Sequence, residues 1–198
     1  MSVADILAFS RKYPYKPIPL DELTRLSTTL RDEGLLPPEI ANELMRKSGN
    51  NVELTAQAIY SENGLNLSVE EVARALYSEE GPNLLAEDVA WALAQPNYQL
   101  PKDAKNVLPF SWPCGVARTL YSEEGPNLSA EDVAEALHQG LYYLGPEDVA
   151  RALYSEEGLG LSIKETWEAL PDDLSDQLDE NLEALEPEDE EEYEPGDD

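Results

Sequence analysis

The chain has 198 residues and a formal net charge of −29 at pH 7. A surface this acidic repels nucleic acid and anionic membranes at long range, so we expect no direct binding to either and regard a basic protein as the natural partner. Residues 1–50 hold seven acids and seven bases, residues 51–170 hold twenty acids and six bases, and residues 171–198 hold fifteen acids and no base. The charge therefore divides the chain into a neutral N-terminal cap, an acidic middle region and an acidic tail.

The N-terminal segment combines a proline- and tyrosine-rich arm with a helix. The arm, SRKYPYKPIP, spans residues 10–19, and the pattern predicts a helix over residues 21–30. The arm either caps the first helix or docks on another chain, and we favour the cap. The short apolar stretch at the N-terminus precedes its basic residues, which is the wrong order for a signal peptide. With a single cysteine in the chain, this favours a cytoplasmic protein.

A unit of about seventeen residues repeats through the middle of the chain. VARALYSEEGPNLLAEDVAWAL at residues 72–93 matches VARTLYSEEGPNLSAEDVAEAL at residues 116–137 at all but three of twenty-two positions. A short fixed period is typical of stacked helical units. The sequence therefore predicts an all-α protein, an array or solenoid of short helical repeats with the repeat region at residues 51–170.

Each unit contains the signals that begin a helix. Ser68 has the side chain of a good N-cap, and Glu71 follows three residues later as in a capping box. The same arrangement recurs at Ser129 with Asp132 and at Ser162 with Glu165. An apolar stripe facing a neighbouring helix is formed by Val69, Val72, Ala73 and Leu76. We expect helices of about ten or eleven residues that depend on packing against each other.

Each unit also contains signals that end a helix. Glycine follows the helix in three copies, where we expect the left-handed conformation that closes a helix; the positions are Gly81, Gly125 and Gly158. Proline follows two of these glycines and prevents the helix from continuing. A tyrosine recurs at one position, and we expect it to pack between successive helices with its hydroxyl at the surface; the residues are Tyr60, Tyr77, Tyr121 and Tyr154.

The repeated YSEEG motif carries the best indication of function. A helix has partial negative charge at its C-terminus, so a glutamate pair at that end opposes stability. We therefore assign partner binding to the pairs, which are Glu79, Glu80, Glu123, Glu124, Glu156 and Glu157.

Residues 94–115 interrupt the repeats with four prolines and three aromatic residues. A short helix over residues 101–107 is expected within this irregular connector. Phe110 and Trp112 are further candidates for partner binding, because a connector is where a bend or a binding surface is easily built.

The C-terminal segment, residues 171–198, begins with leucines at helical spacing, which are Leu174, Leu178, Leu182 and Leu185. They either close the end of the repeats or present a helix to a partner groove. From Glu186 onward the sequence is an acidic run for which we expect disorder.

Catalytic chemistry has little support in the sequence. His138 is the only histidine and Cys114 the only cysteine, so neither a Cys/His zinc site nor a histidine-based nucleophile system is indicated. The chain has no phosphate-binding glycine motif, and its many carboxylates resemble each other. The EEGPNLSAED turn lacks the ligand order of a calcium loop. We expect no enzyme, no cofactor and no metal.

Two functional hypotheses follow, both non-catalytic. In the first, the glutamate pairs imitate nucleic-acid phosphates and occupy a basic groove of a nucleic-acid-binding protein, as small acidic inhibitors encoded by phages and mobile elements do. In the second, the chain is a structural or adaptor protein that binds through its aromatic connector or its C-terminal leucine face, and the acids keep it soluble. Adaptation to high intracellular salt is a third explanation for the acids, which the neutral first fifty residues disfavour.

Overall fold

The structure is a computed structural model that describes residues 18–94 and 112–178. All regular secondary structure in these two stretches is helical, which confirms the all-α prediction for them. The helices are α1 Leu20–Asp32, α2 Pro37–Ser48, α3 Val52–Tyr60, α4 Val69–Tyr77, α5 Ala86–Leu93, α6 Trp112–Tyr121, α7 Ala130–Gly140, α8 Pro146–Tyr154, α9 Ile163–Ala169 and α10 Asp172–Leu178. The predicted first helix is present as α1, whereas the N-terminal arm, the expected helix at 101–107 and the chain beyond residue 178 lie outside the described residues.

Each helix packs on the helices that are near it in the chain. From α1 to α8, each helix contacts the next helix and the next but one, and α8 in turn contacts both α9 and α10. Apart from Met45, the buried apolar side chains of these helices belong to one cluster. The core therefore runs along the described chain from α1 to α10, and helices separated by one unit lie side by side.

The predicted helix starts are confirmed in detail. The Ser68 hydroxyl accepts a hydrogen bond from the Glu71 N–H at 3.1 Å, and the Glu71 carboxylate accepts one from the Ser68 N–H at 2.8 Å. The same reciprocal pair begins α9, while at α7 the hydroxyl of the capping serine accepts from the Asp132 N–H at 3.1 Å. Each such cap contributes about 1 kcal/mol by satisfying an amide that the helix leaves unpaired.

The predicted apolar stripe of α4 faces the core. Val72, Ala73 and Leu76 are fully buried, and Val69 is half-buried. At nine residues α4 is slightly shorter than expected and would be marginal in isolation, so most of its stability comes from burying this stripe.

The recurring tyrosines differ in how far they are buried. Tyr60 and Tyr77 pack against the core as expected, Tyr154 is half-buried, and Tyr121 is 43% exposed. Burial, together with the charge of nearby Glu62 and Glu70, raises the pKa of Tyr60 above its ordinary value.

After α4, α6 and α8, the linker turns back and bonds to the end of the preceding helix. The Leu84 N–H donates to the Leu76 carbonyl at 3.1 Å, and the same bond joins the equivalent leucines after α6 and α8 at 3.0 and 3.1 Å. Carbonyls at a helix C-terminus have no partner within the helix, so these bonds satisfy groups that water would otherwise have to satisfy. The linker is therefore part of the packed unit.

At the C-terminal end, α10 packs against α8. Leu174 and Leu178 are each 1% exposed, so these two leucines are core residues and do not form an open face. The His138 Nε2 atom of α7 lies 3.3 Å from Oδ2 of Asp173 in α10. Of the two roles considered for the leucine face, burial of its described half fits closure of the core.

Candidate functional site

The six candidate glutamates lie in three turns, which we call the acidic turns: residues 78–81, 122–125 and 155–158. They follow α4, α6 and α8, and all six glutamates are exposed. Each helix ends at the tyrosine of its YSEEG motif, so the glutamates are outside the helix and not in its last turn. The expectation that the glutamate pairs lie at the end of the helix was therefore wrong, because they lie in the turn that follows it.

The serine of each motif shapes its turn. It leaves the helical conformation, with φ and ψ of −59° and 143° at Ser78, and its carbonyl accepts the Gly81 N–H at 2.9 Å. The Ser78 hydroxyl also accepts from the Glu80 N–H at 3.3 Å and donates to the Glu80 carboxylate at 2.7 Å. In the second turn the Ser122 hydroxyl accepts from the Glu124 N–H at 3.1 Å. The serines therefore order the backbone of the turns, and Ser78 also holds the Glu80 carboxylate; the sequence indicated neither role.

The glycines of the turns do not adopt the left-handed conformation that the sequence suggested. None of the three has a positive φ; that conformation is taken six residues after the last helical residue, by Asn66, Asn83, Asn127 and Gly160. The glycine is needed because its Cα lies against the preceding helix: a methyl group at Gly125 would be 2.0 Å from the Thr119 carbonyl oxygen. The repeat copies carry either asparagine or glycine at the left-handed position, and both residues tolerate a positive φ. This exchange was the sequence signal that could have identified the left-handed residue.

Each acidic turn lies against the helix two positions earlier in the chain. A methyl group at Gly81 would lie 3.3 Å from Pro38, which is at the start of α2. The Ser155 hydroxyl is 3.5 Å from the Cys114 sulfur near the start of α6. Because the start of a helix carries partial positive charge, these two turns have a compensating neighbour, and their glutamates oppose stability less than the motif alone implied.

Arg74 of α4 anchors the second acidic turn. Its guanidinium donates to the Gly125 carbonyl at 3.1 Å and also to the Glu123 carbonyl. Both bonds are to the backbone, so the arginine fixes the turn without bonding to either carboxylate. This residue was not predicted, because the contact joins residues about fifty positions apart.

The carboxylates of the acidic turns have no basic partner among the described residues. The ion pairs found there are Arg31–Asp32, Arg46–Glu43, His138–Asp173 and Lys164–Glu168, and none involves these six glutamates. The turns therefore present charge that is directed to solvent on a backbone fixed by hydrogen bonds.

The aromatic candidates of the connector are not placed by the structure. Phe110 lies outside the described residues. Trp112 begins α6, but its side chain is likewise outside them. Their assignment to partner binding remains a prediction.

The other residues considered for chemistry are Cys114 and the capping carboxylate Glu165. Cys114 is buried, and in the described stretches no group of three or more His, Cys, Asp or Glu residues could hold a metal ion. The hydrogen bonds from the Ser162 hydroxyl and backbone N–H lower the pKa of Glu165 below its ordinary value, as expected for a capping carboxylate.

Within residues 18–94 and 112–178, no helix is long and apolar enough to cross a membrane.

Comparison with protein-family models, with curated proteins and with solved structures gives no match. The function is therefore argued from the residues of this chain.

Proposed function

We propose that the protein is a non-catalytic binding module that inhibits or regulates a nucleic-acid-binding protein by occupying its basic groove. The observation that carries the proposal is the set of three acidic turns, whose six exposed glutamates have no basic partner among the described residues. Groups already fixed before binding lose little conformational freedom when they bind. Acidic turns of this kind can replace phosphates against lysine and arginine.

We infer further that residues 51–170 form an array of helical repeats, which would set the spacing of the turns. The contacts of α6 with α4 and with α8 support this, because they place the three helices that carry acidic turns one after another. A regular series of charges is the feature of nucleic acid that a basic groove recognises without reading sequence. The tail, residues 171–198, adds fifteen carboxylates, and a partner of this kind is consistent with a cytoplasmic protein.

The test measures retention of a partner by the full chain. Proteins of the source cells are bound to the immobilised chain and eluted in steps from about 50 mM to about 500 mM salt. We expect a basic nucleic-acid-binding protein that elutes as salt rises and that duplex DNA or RNA displaces, because both ligands would use one groove. Retention that is equal at both salt concentrations would contradict the proposal.

A matched pair of variants tests whether partner binding depends on where the charges lie or only on how many there are. The test variant changes Glu79, Glu123 and Glu156 to Gln, which removes one carboxylate from each acidic turn. The control variant removes three exposed carboxylates elsewhere, at Asp32, Glu33 and Asp176, by changes to Asn or Gln. We expect the test variant to lose the partner at a lower salt concentration than the control does. If both variants elute alike, only the total charge matters and the acidic turns are not the site.

A further inference from the structure

A second surface is indicated by comparing the two nearly identical copies within the chain. Residues 72–93 differ from residues 116–137 at three positions, and at two of them a large apolar residue replaces a polar one. Leu85 stands where the other copy has Ser129, and Trp91 stands where it has Glu135. Leu85 is 62% exposed and Trp91 is 37% exposed. Burial in the described core therefore does not account for Leu85.

The cost of Leu85 is visible at the start of α5. Leu85 is the N-cap residue there and makes no side-chain cap, whereas Ser129 caps α7. A leucine in place of a capping serine is unfavourable for the helix. An exposed leucine that weakens its own helix needs a reason other than folding.

The packing of α5 on α7 limits how far two further exposed residues can lie from Leu85. Gly140 at the end of α7 lies directly on the backbone of Glu87, since a methyl group there would be 2.3 Å from the Glu87 carbonyl oxygen. Leu85 is two residues before this contact, and Tyr142 and Tyr143 are two and three residues after it. At about 3.5 Å per residue, the three backbone positions lie within roughly 20 Å of one another.

The two tyrosines add a large aromatic surface. Tyr142 is 83% exposed and Tyr143 is 55% exposed, and their rings pack edge to face with centroids 5.6 Å apart. Together with Leu85 they form what we call the α5–α7 patch. Aromatic side chains of this kind are the usual anchors of protein interfaces.

Along the chain, the charged residues next to the α5–α7 patch are acidic, and the nearest lysine or arginine in sequence is Arg151. The two stretches that meet there, residues 82–94 and 139–150, contain four carboxylates and no lysine or arginine. Asp88, Glu147 and Asp148 are exposed, and Glu87 is half-buried. An apolar centre with an acidic rim is complementary to a segment that carries aliphatic side chains flanked by basic ones.

We propose that the α5–α7 patch is a docking site for a cationic amphipathic segment of a partner protein, with an aliphatic side chain seated against Leu85 and the two tyrosines. The patch shares no residue with the acidic turns. It would add contacts that depend on apolar area, and these resist salt better than the charge contacts of the turns do.

The experiment uses the full chain and a defined probe. The probe is a fluorescent peptide of about fifteen residues made of lysine and leucine at helical spacing, and a second peptide has serine in place of every leucine. Binding is measured by fluorescence anisotropy at about 0.15 M salt. The variant Leu85→Ser with Tyr142→Ser removes two of the three patch side chains without removing a core residue, because both are exposed. At the position of Leu85, serine is the residue of the other copy.

We expect the variant to bind the lysine–leucine peptide about tenfold more weakly than the original chain and to bind the lysine–serine peptide equally. Leu36→Ser is the matched control, since Leu36 is also an N-cap leucine and is 65% exposed; it should leave both affinities unchanged. Equal binding of the lysine–leucine peptide by the variant and the original chain would overturn the proposal. So would an equal loss in the control, or a dimer of the original chain that the variant abolishes, because a second copy would then cover the patch. The acidic turns are intact in both variants, so these outcomes do not depend on the proposed function.

Discussion

The glycine of the second acidic turn offers a direct test of how the turns are built. In Gly125→Ala the new methyl group would lie 2.0 Å from the Thr119 carbonyl oxygen, about 1 Å closer than such contacts allow. The turn must therefore move away from α6. Movement would disrupt the bond from the Gly125 N–H to the Ser122 carbonyl, at 2.9 Å, and the bond that closes the linker onto Leu120, at 3.0 Å.

The expected loss of stability follows from these contacts. Two weakened backbone hydrogen bonds cost about 2 kcal/mol, and the residual crowding adds about 1 kcal/mol. The free energy of unfolding should therefore fall by about 3 kcal/mol. In urea denaturation followed by circular dichroism, with a slope near 2 kcal/mol per molar, the midpoint would fall by about 1.5 M.

Asparagine substitutions distinguish this close contact from a left-handed glycine. Gly160 has φ of 67° and no atom near the position of a Cβ, so Gly160→Asn should change the free energy of unfolding by no more than about 0.5 kcal/mol. Gly125→Asn should be at least as destabilising as Gly125→Ala, because any Cβ meets the same oxygen. If both asparagine variants are equally mild, the reasoning from the close contact is refuted.

Three further predictions concern single side chains. Ser68→Ala should lower the free energy of unfolding by about 1 kcal/mol in the same urea assay, because it removes the cap of α4; an unchanged midpoint would contradict this. Arg74→Met should cost about 1 kcal/mol by releasing the second acidic turn, whereas Arg151→Met, at the equivalent place in α8, should cost much less because no bond of this kind is found there among the described residues. Carbon-detected NMR should show Glu165 titrating below the ordinary glutamate pKa, and Ser162→Ala should return it towards that value. Because the folded pKa is the lower one, the stabilisation from Glu165 is present above the unfolded pKa and is lost as pH falls through the folded pKa.

The acidic turns also explain why the glutamate pairs can be retained at small cost. Each pair follows the helix, is exposed to solvent and stands on a turn whose backbone bonds are satisfied by its own serine and glycine. Exposed charges are screened by water and salt, so their mutual repulsion is weak at ordinary ionic strength. The molecule can therefore carry a dense negative surface on a stable helical core.

If the α5–α7 patch binds a partner as proposed, the two copies differ in function while they share a core. The copies share the core positions, so Val89 and Val133 are both fully buried and the packing of the two units is alike. Leu85 and Trp91, where the copies differ, are partly exposed and leave that packing intact. Changes at the surface of one unit can thus create a binding surface without altering the fold of either.

The sequence by itself determined where the helices begin and which faces they bury. Ser68 with Glu71 and the stripe through Val72 and Leu76 are local patterns, and a cap or an amphipathic helix depends on residues within four positions of each other. The sequence showed less clearly where each helix ends and how the chain turns after it. It also did not show that an asparagine takes the positive φ. There the sequence offered several residues able to end a helix, and it did not show which one would lie against the preceding helix.

Only the tertiary structure decided what surrounds each functional residue. The contacts of Arg74 with the second acidic turn and of Gly140 with Glu87 join residues about fifty positions apart, which no local pattern specifies. The same packing buried Leu174 and Leu178, and it put Leu85 and Tyr142 each two residues from the contact between Glu87 and Gly140. The physical reason is that helix formation is governed by short-range hydrogen bonds and side-chain spacing, whereas the choice of neighbours depends on how complete helical faces fit together.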